Sequence, residues 1–172
     1  MSNDLSLFLE KNAPLDLSRA KDFLTNLALI LQSLHSAKDL WDQSFDRVKL
    51  EEDGRIQSIG KISERDIKAG GIDPLRDITP PEYIDGLHDF RSDIYALGAV
   101  TYELITGKSP FSGTSVIDNM NIRTGKTPIK LPHQVKEDCP ENWEYIIMKA
   151  LSLNPDERFQ TVADFLDAIK SV

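Results

Sequence analysis

The chain has one cysteine, Cys139, which rules out an internal disulfide and a cysteine-based zinc site and fits a reducing compartment. A half-buried loop thiol is expected there. No apolar run approaches the roughly 18 residues a membrane span needs, and the start Met-Ser-Asn-Asp has no basic n-region, so a soluble cytoplasmic protein is expected. Basic residues do not cluster. Twenty Lys+Arg stand against 28 Asp+Glu, and the net charge of -8 argues against both nucleic acid and membrane as partners. His35, His88 and His133 are far apart, with no i, i+4 pair to hold zinc or iron. Repeats, heptads and Gly/Ser/Pro-rich linkers are missing too, so residues 1–172 read as a single domain.

What is present is a globular composition, 40% hydrophobic and 8% aromatic, in a chain long enough for a core. Ala20, Phe23, Leu24, Leu27, Leu31 and Leu34 repeat at i, i+3, i+4 and predict a helix over 16–35, capped by Asp16 or Ser18. Val48-Lys49-Leu50 and Arg55-Ile56-Gln57 flank an Asp53-Gly54 step and predict a small β-hairpin. Residues 60–81 lack periodicity and read as a long loop. Residues 92–106 are apolar nearly all round, which a helix tolerates only when surrounded, and Gly107 stops it. Further helices are expected over 114–123, 141–152 and 161–171, the last capped by Thr161. The expected fold is mainly α, a helical bundle around a buried central helix with a small hairpin.

Ser92-Asp93-Ile94-Tyr95-Ala96-Leu97-Gly98, followed by Thr106-Gly107-Lys108-Ser109-Pro110-Phe111, resembles the central-helix signature of serine/threonine protein kinases. Pro80-Pro81-Glu82 stands where that family has Ala-Pro-Glu. Asn154-Pro155-Asp156-Glu157-Arg158 stands at its late Pro-x-x-Arg, and Leu34-His35-Ser36 is similar to the end of the helix before the catalytic loop. The resemblance covers nearly the whole chain and implies the kinase large-lobe fold. It also implies structural roles: a Glu82–Arg158 ion pair, a buried Asp93 that holds the catalytic loop, and Gly98 in the central helix.

Other positions depart from the family. The chain starts too late to include the small lobe, with its glycine-rich loop and phosphate-pairing lysine. Counted back from Asp53-Gly54-Arg55, the family's His-Arg-Asp falls on Leu40-Trp41-Asp42, which keeps only the aspartate. Arg47 takes the place of the metal-binding asparagine, and Gly60-Lys61-Ile62 that of Asp-Phe-Gly. Pro74-Leu75-Arg76-Asp77-Ile78 replaces the usual substrate shelf. Asp42 reads as a vestigial, exposed loop residue, a turn or cap more than a general base. Trp41, Phe45 and Ile62 bring apolar side chains to the former cleft, either as refilled packing or as an exposed patch.

No catalytic residue and no cofactor is therefore expected, neither ATP nor magnesium. The favoured expectation is a degenerate, pseudokinase-like lobe serving as a protein-binding or scaffold module. A protein partner or a second copy would meet the surface that normally faces the small lobe. The alternatives are half of a kinase completed by a small lobe from another chain, and a remnant without function.

Overall fold

A computed structural model describes residues 4–63, 78–85, 87, 89–113 and 115–172. Short polar side chains start most of its helices, because their oxygens satisfy backbone N–H groups that the first turn leaves open. Asp4 accepts from Leu7 N at the head of α1 (Leu5–Asn12), and Asp16 from Arg19 N at that of α2 (Leu17–Ser36). Asp89, Ser115 and Thr161 do the same for α3 (Phe90–Thr106), α4 (Val116–Arg123) and α7 (Val162–Lys170). Two further helices, the short α5 (Pro132–Val135) and α6 (Glu141–Ala150), lie between α4 and α7.

Helix α3 is the axis. Every residue from Ser92 to Thr106 except Glu103 is buried, so it has no solvent face. Gly107 ends it with a φ of 75°, a left-handed conformation that costs glycine little. Helix α2 packs against α3 and α7, and α6 packs against both α3 and α7. At the α3/α6 crossing a Cβ on Gly98 would lie 2.8 Å from the Ala150 Cβ. Glycine is what lets the two backbones come this close.

The expected hairpin is present as β2 (Lys49–Leu50) and β3 (Ile56–Ser58), antiparallel around Gly54, whose φ is 86°. A second antiparallel pair, β1 (Asp39–Trp41) with β4 (Lys61–Ser63), was not expected; it sets Leu40 opposite Ile62. It takes three residues from the predicted 60–81 loop, of which 64–77 lie outside the described residues, as does His88. Helix α3 begins at Phe90, two residues before its expected start, because Asp89 and Ser92 form a capping box. Cys139 is buried rather than half-buried, since it joins the main core. No helix among the described residues is long and apolar enough to cross a membrane.

Candidate functional site

Strands β1 and β4 bring together the positions aligned with the family's His-Arg-Asp and Asp-Phe-Gly. Asp42 follows β1, Gly60 precedes β4, and Asp42 N donates to Gly60 O at 3.3 Å. Asp42 is not the exposed loop residue expected from sequence: it is 2% exposed. A Cβ on Gly60 would fall 2.2 Å from its Oδ2, so the carboxylate takes up space that any side chain at position 60 would need. Arg47 ends a short 3₁₀ turn, Phe45–Arg47, and its Nη1 lies 2.6 Å from the same Oδ2. Ser44 N donates to Oδ1 at 3.3 Å.

These residues do not fit a magnesium ion. A hard dication needs several oxygen ligands, whereas Arg47 brings a cation, Gly60 brings no side chain, and Asp42 already balances the guanidinium. Among the described residues no group of three or more His, Cys, Asp or Glu is placed to hold a metal. Trp41 and Phe45, at 0% and 6% exposure, are core residues, and Ile62 is half-buried. Packing, rather than an open apolar patch, accounts for the first two.

The loop is fixed from beneath by Asp93 at the start of α3, which is fully buried. One of its oxygens accepts from Trp41 N at 3.0 Å and meets His35 Nε2 at 2.9 Å; the other accepts from Gln43 Nε2 at 3.2 Å. Gln43 has a φ of 55°, uncommon for a residue with a side chain, and its bond to Asp93 helps hold that conformation. The His35 ring also lies 4.4 Å from that of Phe90. His35 and Gln43 were not singled out from sequence as partners of Asp93. For His35 a signal was available, since it closes α2 beside the loop; for Gln43 none was.

On the far side of α3, Glu82 and Arg158 form a two-pronged pair, Nη1–Oε1 at 2.7 Å and Nη2–Oε2 at 2.8 Å. The Arg158 side chain has no exposure and that of Glu82 has 12%. Further Arg158 donors reach Ser152 O at 2.8 Å and Arg91 O at 3.0 Å, while Ser92 Oγ donates to Glu82 at 2.8 Å. The guanidinium carbon sits 4.8 Å from the centre of the Tyr95 ring. This pair ties the Pro81–Asp85 turn to the segment before α7.

A family model described as protein tyrosine and serine/threonine kinase matches residues 5–166. The chain belongs to the protein tyrosine and serine/threonine kinase family. It is similar to the serine/threonine-protein kinase PknB of Mycobacterium leprae, with 32% identity over 117 residues, 68% of this chain and 19% of that protein. The Mycolicibacterium smegmatis PknB is 38% identical over 76 residues, 44% of this chain and 12% of the relative. The tyrosine-protein kinase MasK of Myxococcus xanthus is 35% identical over 83 residues, 48% of this chain and 13% of the relative. The chain thus spans about a fifth or less of the length of these kinases.

Proposed function

We propose that this kinase-family chain is catalytically silent and acts as a protein-binding or scaffold module. The observation that carries the proposal is the Arg47–Asp42 pair closed over Gly60. Phosphoryl transfer rests on positioned phosphates, with metal ions neutralising the charge that develops. Here the Asp42 carboxylate is turned into the space over Gly60, where the family has an aspartate, and is balanced by the half-exposed Arg47 guanidinium. Binding of Mg-ATP would have to displace that cation from a buried carboxylate and supply the absent ligands. A protein partner, or a second copy, at the face bearing the Asp42 loop belongs to the same proposal.

The test is thermal unfolding with and without millimolar Mg-ATP. A ligand at 100 times its dissociation constant would stabilise the fold by about 2.7 kcal/mol. No shift is expected; a magnesium-dependent rise in Tm would sink the proposal. Phosphate transfer by the purified chain to any protein would do so equally.

A further inference from the structure

A groove of about 680 Å³ lies over the turn between α5 and α6, and none of its lining residues belongs to the Asp42 loop. Its apolar part is formed by Leu131, Cys139, Tyr145 and Met148. The remaining lining residues are His133 and three carboxylates, Glu137, Glu141 and Glu144, with no lysine or arginine among them. Acidic side chains on their own would be no more than a solvated face. The groove adds volume within the range that binds ligands and an aromatic ring that is 63% exposed, Tyr145, with Lys149 Nζ 5.8 Å from the ring centre. Tyrosine is among the residue types that carry most of the energy at protein interfaces.

The rim is partly preset. Glu144 accepts from the His133 backbone N–H at 2.9 Å and meets His133 Nδ1 at 2.7 Å, which fixes its carboxylate at the groove wall. Burial pushes the Cys139 thiol up from its usual pKa, so this wall stays neutral and apolar. Glu137 and Glu141 remain exposed. An overall charge of -8 would draw a cationic partner in and turn an anionic one, a second copy included, away.

We propose that this groove is a docking site for a basic segment of a partner protein, one that sets an aliphatic side chain against Tyr145 and Met148 and its arginines or lysines against Glu137 and Glu141. This deepens the binding-module reading and rests on it. The test is calorimetric titration of the intact chain with a short synthetic peptide of leucines spaced between arginines, beside a counterpart with glutamates for the arginines. The arginine peptide is expected to bind and the glutamate peptide not. Raising the salt to about 1 M, where the screening length falls to about 3 Å, should weaken binding.

Glu137→Lys and Tyr145→Ala are expected to weaken binding by about tenfold each, or about 1.4 kcal/mol. Both change exposed side chains, and an unchanged Tm would show that the fold survives. Equal binding of the two peptides, indifference to both substitutions, or no heat at millimolar peptide would overturn the proposal. A stabilising response to Mg-ATP would instead sink the catalytic-silence reading and leave the groove untouched, so the two failures are distinct.

Discussion

Arg158 carries a full positive charge with no solvent on its side chain, which is tolerable only because its guanidinium meets the Glu82 carboxylate and backbone carbonyls. Removing one partner strands the other. Glu82→Ala is therefore expected to cost about 3–5 kcal/mol in urea unfolding, whereas replacing both residues with apolar side chains of similar volume should cost clearly less. Tyr102 gives a second handle. Burial pushes its phenol up to about 12, and its hydroxyl donates to Lys130 O at 3.0 Å. An unfolded tyrosine ionises near 10, so this contribution to stability is complete below about pH 10 and is lost as pH climbs through 12. Phenolate absorbance followed alongside circular dichroism should show Tyr102 ionising only as the fold is lost; Tyr102→Phe should remove one such late-ionising phenol and leave that of the buried Tyr95. The burial of Asp42 had no such local warrant. It depends on a missing side chain eighteen positions away, at Gly60, and on a strand pairing that puts the two together.

Elements differ in how much of them a sequence can show. Helices α2, α3, α6 and α7 were legible because each repeats apolar residues over several turns, and α2, α3 and α7 also carry a stop or a cap. Helix α1 was passed over although Asp4 caps it and Leu5, Phe8 and Leu9 supply its buried stripe; two turns make a weak period. The β1/β4 pair could not be found that way, since each strand has three residues and its partner lies about twenty positions off. Gly98 reads as part of a motif, but its physical role appears only where α3 crosses α6. Gly98→Ala places a methyl 2.8 Å from the Ala150 Cβ, on a helix that cannot yield locally. The expected loss is about 1–3 kcal/mol, measured as a lower urea midpoint with an unchanged slope. The paired substitution Ala150→Gly should recover part of it.

At the scale of the molecule, one hydrophobic core links helices from both ends of the chain, from Leu5 to Ile169. A charge of -8 works against self-association at low salt. If a second copy is the partner at the Asp42 face, the mass seen by light scattering should rise from one chain toward two as salt is added at high micromolar concentration. A single-chain mass under all these conditions would remove the homodimer from the proposed function and leave a different protein as the partner.

Helix α7 packs against α2, which lies more than a hundred residues before it in the chain; Lys21 Nζ reaches across to the carbonyls of Lys170, at 3.0 Å, and Val172, at 3.3 Å. During translation, which runs from the N-terminus at about 5–20 residues per second, α2 can meet α3 early, but the part of its face that packs on α7 has to wait for residues 162–170. Until α7 has emerged from the ribosome, that part of the face is open to chaperones and to neighbouring nascent chains. Helices α2 and α7 therefore set the risk of misassembly together: a chain broken off before α7 would leave part of α2 uncovered, even though every residue of the Asp42 site had been made.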